Sequence, residues 1–109
     1  MYIGTVKLSN EWTKVEDLIK DQVDGQSAFA FDDTKNYQLQ GEGISFVRLL
    51  ESAAAPAENN NDGFRIIGTQ SAYYTPVSGS SLYARVELFD INGYPNIGDI
   101  YLKVSTVGE

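Results

Sequence analysis

The chain has 109 residues, enough for one domain, and its 42% hydrophobic and 21% charged content is that of a globular protein. Eight basic residues stand against fifteen acidic ones, for a net charge of −7, and cysteine and histidine are both absent. The charge argues against nucleic acid and anionic membranes as partners, because both are held by clustered Lys and Arg. The two missing residue types remove disulfides, thiol and histidine catalysis, Ser–His triads and ordinary zinc sites.

Taken in chain order, "MYIGTVKL" alternates and holds β-branched residues, so it reads as a strand. It lacks the basic start and apolar run of a secretory signal, and no apolar run anywhere nears the roughly 20 residues of a membrane span. "SNEWTKVEDLIKDQVDG" follows. Trp12, Val15, Leu18, Ile19 and Val23 recur at helical spacing, Asn10 is a candidate N-cap and Gly25 a natural stop. Thr13 and Glu16 have capping-box spacing, so a later start is equally open. This is the only good helix signal, and its apolar stripe is expected to cover one face or open end of a sheet.

After Gly25 the period becomes two. "SAFAFDD" reads as a strand with Phe29 and Phe31 on one face, and "DDTKN" as a turn. "NYQLQ" sets Tyr37 and Leu39 against Gln38 and Gln40, "GEG" (Gly41 to Gly43) reads as a tight turn, and "ISFVRLLES" (Ile44 to Ser52) as a central strand. "GFRIIGT" and "SAYYTP" are two more strands, with Tyr73 and Tyr74 facing opposite ways. "SLYARVELFD" sets Leu82, Ala84, Val86 and Leu88 against Tyr83, Arg85, Glu87 and Phe89. "INGYPNIGD" is a turn region around Asn92-Gly93, and "IYLKVSTV" is the last strand. About eight short strands with Gly, Asn and Asp turns and one helix near the N-terminus predict a single antiparallel sandwich or barrel over residues 1–109.

Three sets of residues are candidates for a site. In "ESAAAPAENNNDGFRI" the side chains of Asn59, Asn60, Asn61 and Asp62 offer oxygen ligands for calcium, but the alternating twelve-residue pattern and closing Glu of an EF-hand are missing. Turn chemistry alone accounts for these residues, so a connecting loop is the simpler reading. Glu42, Glu51, Glu58, Asp62, Glu87 and Asp90 supply carboxylates, yet a glycosidase needs two that face each other across a cleft, and no nucleophile, base or metal set accompanies them. "GEG" lacks the lysine and helix of a phosphate loop. No catalytic residue and no cofactor are therefore assigned. Trp12, Tyr73, Tyr74, Tyr83 and Tyr94 can be core, anchors of a protein interface, or a sugar-stacking platform.

Several pieces occur in a telling order: W-T-K-V-E-D-L-I at Trp12 to Ile19, S-A-F-A-F at Ser27 to Phe31, Y-Q-L-Q at Tyr37 to Gln40, F-V-R-L-L-E-S at Phe46 to Ser52, N-D-G at Asn61 to Gly63, and L-Y-A-R at Leu82 to Arg85. This resembles small virion proteins encoded by tailed bacteriophages and prophages. The matching motifs fall within residues 6–88, are short, and none is catalytic. The resemblance implies a β-sandwich, the jelly roll being one form of it, that decorates or staples a capsid or sits in a tail or fibre. It further implies location in the virion, the major capsid protein or other virion proteins as partners, and assembly as a dimer or trimer.

The leading expectation is thus a non-enzymatic capsid decoration or cement protein, a mainly β antiparallel sandwich with one short N-terminal helix. Trp12, Tyr73, Tyr74 and Tyr94 are its candidate interface residues. The alternative is a tail fibre or tip, or a carbohydrate-binding module.

Overall fold

A computed structural model describes residues 1–43, 46–67, 69–87 and 99–107. Eight strands and one helix follow in the order β1 (Tyr2–Lys7), β2 (Thr13–Lys14), α1 (Val15–Gln22), β3 (Asn36–Glu42), β4 (Phe46–Ser52), β5 (Phe64–Ile67), β6 (Ser71–Tyr74), β7 (Ser81–Glu87) and β8 (Tyr101–Val107). They form two four-stranded antiparallel sheets: sheet A in the order β1-β8-β3-β6, and sheet B in the order β2-β7-β4-β5. These orders are those of an eight-stranded jelly roll, two Greek keys closed on one another. The expected antiparallel sandwich is therefore what the chain forms.

Alternation along the strands creates the core. Val6, Leu39, Leu102 and Val104 from sheet A meet Val47, Leu49, Leu82, Ala84 and Val86 from sheet B in one buried cluster. The helix adds Val15 and Ile19, both fully buried, and contacts β1, β2 and β7. It thereby closes the flank where β1 and β2 are the sheet edges. Gln22 reinforces this closure. Its side chain accepts from Lys7 N at 2.7 Å and donates to Lys7 O at 3.1 Å, so its amide occupies the open side of β1.

Three expectations are corrected. The helix is shorter than the apolar spacing implied, and neither Asn10 nor Thr13 caps it; Lys14 precedes its first turn and makes no side-chain cap bond. Thr13 and Lys14 instead pair with Ala84 and Tyr83 of β7, which places Trp12 ahead of a strand. Glu16, the would-be capping-box partner, accepts from Phe31 N at 3.0 Å. Second, "SAFAF" is not a strand. Phe29 N donates to Gln26 O, and Gln26 N to Val23 O, so the segment is a run of turns. Its two phenylalanines still point the same way: Phe31 meets Phe29, Tyr37 and Tyr74 edge to face, with centroids 4.8–5.3 Å apart. Third, β3 continues through Gly41 and Glu42, paired with Leu102 and Tyr101, so "GEG" is mostly strand. The Asn92-Gly93 turn, Leu88, Phe89 and Ile44 lie outside the described residues.

Candidate functional site

All three arginines of the chain lie in one row on the outer face of sheet B. Arg65 of β5 pairs with Arg48 of β4, and Arg48 with Arg85 of β7. Like charges placed directly opposite one another repel. Glu87, two residues along β7 on the same face, answers them: Arg48 Nε donates to Glu87 Oε1, Arg65 reaches Oε2 at 3.5 Å, and Arg85 approaches Oε1 at 4.0 Å. The Arg48 hydrogen bond, and the charges of Arg48, Arg65 and Arg85, hold the Glu87 carboxyl below its ordinary range against the opposing effect of burial.

The segment from residue 53 to 63, the origin of the calcium and loop readings, folds over this row. Asn61 O accepts from Arg48 at 2.5 Å, while Glu58 O and Asn61 Oδ1 accept from Arg85 at 2.7 and 2.8 Å. Trp12 Nε1 donates to Asn60 O at 3.2 Å, and the Arg85 guanidinium lies 4.9 Å from the Trp12 ring centroid. Arg85 Nε is buried without an acceptor, and the indole face partly compensates for that. Asn60 Oδ1 accepts from Asp62 N at 2.8 Å, closing a local turn. Gly63 ends the loop at φ +93, with its Cα so near β4 that a Cβ would stand 2.2 Å from Leu49 O. The side-chain oxygens of Asn60 and Asn61 are thus occupied, and two guanidiniums face the loop. This is a structural clamp, with electrostatics unfavourable to a cation. Among the described residues no group of three His, Cys, Asp or Glu side chains forms a metal set.

Among the described residues, the carboxylates considered for catalysis are distributed, not paired. Glu51 points inward from β4, where it accepts from Val77 N at 3.0 Å and from the Tyr74 hydroxyl at 3.4 Å. Glu87 is on the opposite face of the same sheet, and Glu42 lies 3.8 Å from Lys103 on sheet A. Glu58 and Asp62 are exposed on the loop, and Asp90 lies outside the described residues. A crevice of about 390 Å³ at one end of the sandwich is lined by Glu16, Phe31, Asp32, Tyr74 and Ser78 among others. Two of its acids serve the fold: Glu16 holds Phe31 N, and Asp32 accepts from Thr34 N at 2.9 Å and Thr34 Oγ1 at 2.6 Å. Those two bonds keep the Asp32 carboxyl below its ordinary value.

The outer face of sheet A is different. Register aligns Tyr2, Ser105, Gln38 and Tyr73 in one row across the four strands, and Thr5, Lys103, Gln40 and Ser71 in the next. Lys7, Tyr101 and Glu42 form a third row. Tyr73 is 72% exposed and Tyr2 60%, one at each edge of the sheet, about 14 Å apart at ordinary strand spacing. The Tyr2 hydroxyl is hydrogen-bonded to Thr5 Oγ1. Charge is confined to Lys103, paired with Glu42, and Lys7, 3.2 Å from Asp99.

Of the three candidate interface residues that are described, Tyr73 alone is exposed. Tyr74 is corrected to a core residue at 8% exposure, since alternation on β6 turns it inward. Its burial and the neighbouring Glu51 push its hydroxyl well above the usual tyrosine range, so it stays protonated and donates. Trp12 is half-buried and engaged by the chain's own loop. Tyr94 lies outside the described residues. The reading of single residues missed both the arginine row and the tyrosine–amide grid. Its signal was parity: Arg48, Arg65 and Arg85, and separately Gln38, Gln40, Lys103 and Ser105, all fall on the non-core positions of their strands.

Among the described residues no helix is long and apolar enough to cross a membrane. Comparison with family models, with curated proteins and with solved structures gives no match.

Proposed function

We propose that the chain is a non-enzymatic virion protein of a tailed bacteriophage that binds the capsid shell as a decoration or cement protein, through the outer face of sheet A. The observation that carries the binding role is the contrast between the two sheets. On sheet B's outer face the chain's own loop and Glu87 engage the arginine row, while sheet A presents two rows of Tyr, Gln, Ser and Thr with one paired lysine. Such side chains contact a partner at little desolvation cost and adapt their hydrogen bonds. The virion assignment rests on the sequence motifs between Trp12 and Arg85. A protein that binds only the assembled shell stabilises it by mass action, so binding alone is a sufficient function.

The test is co-sedimentation with purified phage shells. The wild type is expected to pellet with shells, and Gln38→Glu with Ser105→Glu, which puts two charges in the centre of the grid, is expected to stay in the supernatant while remaining folded. A wild type that pellets with no shell, or a double variant that pellets unchanged, would overturn the proposal. The second reading, a tail tip or carbohydrate-binding module, is favoured by one feature: Tyr73 lies directly across from Gln38, an aromatic ring beside an amide. Glycan-array binding that is lost in Tyr73→Ala would select it.

A further inference from the structure

We infer that the flank formed by β5 and β6 is a self-association surface, at which a second copy of the chain adds its β6 to the first. The two flanks of the sandwich are unequal. Helix α1 and the Gln22 amide close the β1/β2 side, and among the described residues the helix packs against β1, β2 and β7, on the side away from β5 and β6. Phe64, Ile67, Tyr73 and Val77, four of the exposed large hydrophobic residues, all belong to these two edge strands or the turn after β6.

The backbone of β6 is open. Gly41 N donates to Gln70 O, which fixes the pairing phase of β3 and β6. Ala72 and Tyr74 therefore bond inward to β3, and the N–H and C=O groups of Ser71 and Tyr73 point to the free edge. Edges are ordinarily guarded by charge, proline or a bulge. β2 is two residues long with a lysine, and β5 has Arg65 and a Gln70 side chain on Ile67 N at 2.9 Å. β6 reads Ser-Ala-Tyr-Tyr, with none of these guards.

Charge selects the occupant. All fifteen acidic residues lie outside residues 63–86, so β5, β6 and the turn after them carry no acid, while half-exposed Arg65 lies on β5. In a chain of net charge −7, this is the stretch along which a second, equally acidic copy approaches with least repulsion. Antiparallel pairing of one β6 with another about a twofold axis is self-complementary, joining two A sheets into one of eight strands. A stable dimer takes about 800 Å² from each partner, a modest share of the 6302 Å² that the chain exposes. The inference does not depend on what the outer face of sheet A binds.

The test uses the full chain alone, without shells or glycans, so its outcome is separate from that of the binding reading. Light scattering and sedimentation over a concentration series are expected to give a dimer for the wild type. Ile67→Asp and Tyr73→Asp each place an acid on both sides of the axis and are expected to raise the dissociation constant at least ~100-fold, since juxtaposed like charges cost several kcal/mol. Hydrogen exchange adds a readout that needs no variant: the Ser71 and Tyr73 amides are expected to gain protection as concentration rises. A wild type that is monomeric throughout, a dimer untouched by both substitutions, or concentration-independent exchange at those two amides would overturn the inference.

Discussion

Replacing Glu87 with Gln tests the account of sheet B most directly. The shape of the side chain is kept and its charge removed, leaving Arg48, Arg65 and Arg85 in a row with no anion among them. Arg48, Arg85 and Glu87 have side chains only 13, 12 and 18% exposed, while that of Arg65 is 49% exposed. Breaking a buried pair costs ~3–5 kcal/mol and an exposed one under ~1. A network with three partners buried and one open should lie between, at about 2–3 kcal/mol. Unfolding entropy for a chain this size makes each kcal/mol worth about 4 °C, so the melting temperature should fall by about 10 °C.

The pH dependence gives the sharper check. The Glu87 carboxyl is depressed from its ordinary 4.5 in the folded chain. A depressed acid contributes stability that is complete above its unfolded pKa and disappears as pH falls through the folded value. The gap between wild type and Glu87→Gln should therefore be full at pH 7, begin to close below about 4.5, and shrink further toward the folded pKa. Other carboxylates titrate in the same range, but they are common to both proteins and cancel in the difference. Urea unfolding followed by fluorescence of Trp12, the single tryptophan, reads the network at close range. A gap below about 0.5 kcal/mol at pH 7, or one that does not change between pH 7 and 3, would refute the reasoning.

Gly63→Ala should destabilise by at least ~2 kcal/mol, since backbone clash adds to strain, whereas Gly79→Ala should cost about 1 kcal/mol for strain alone. Both glycines have φ near +90, but only at Gly63 does a new Cβ meet the β4 backbone; paired thermal melts distinguish them. Trp12→Phe keeps a ring under Arg85 but removes the donor to Asn60 O. It should cost about 1 kcal/mol and speed proteolytic nicking between residues 53 and 63. Gln22→Ala strips both hydrogen bonds from the edge of β1. Fast exchange of the Lys7 amide, with about 1 kcal/mol lost, is the expected result.

What the sequence made legible follows from range. Alternation is a local property, so Leu82, Ala84 and Val86 were identifiable as core, and Tyr73 and Tyr74 as facing apart. Among the described residues the number of strands equals the number expected, but the membership differs. Phe29 and Phe31 have period two without a partner strand, and they pack as an edge-to-face plug instead. Thr13 and Lys14 sit in a helical pattern, yet pairing with β7 holds them extended. Tertiary contact overrode propensity in both cases. The binding of Arg48 and Arg85 to carbonyls of Glu58 and Asn61 was out of reach for a different reason. It depends on which strands are neighbours, and strand order is not written in local pattern.

That same strand order limits where the chain can meet a partner. The arginine row on the outer face of sheet B is taken up by the loop that lies on it, where Glu58 O, Asn60 O, Asn61 O and Asn61 Oδ1 each accept a hydrogen bond from Trp12, Arg48 or Arg85. The β1/β2 flank is closed by a helix whose buried face, Val15 and Ile19, is already committed to the core. In the crevice beside Phe31 and Tyr74, Glu16 and Asp32 are bound to main-chain amides that shape its own walls. Among the described residues, two surfaces are left with unassigned contact potential: the tyrosine and amide grid of sheet A, and the β6 edge that borders it. They meet at Tyr73, which belongs to the face by its side chain and to the edge by its backbone. Extending sheet A across that edge would also extend the grid, so that two copies would present one continuous surface. Self-association and partner binding would then reinforce each other, because a two-copy surface that engages a symmetric array gains from linked binding events what a single weak face does not.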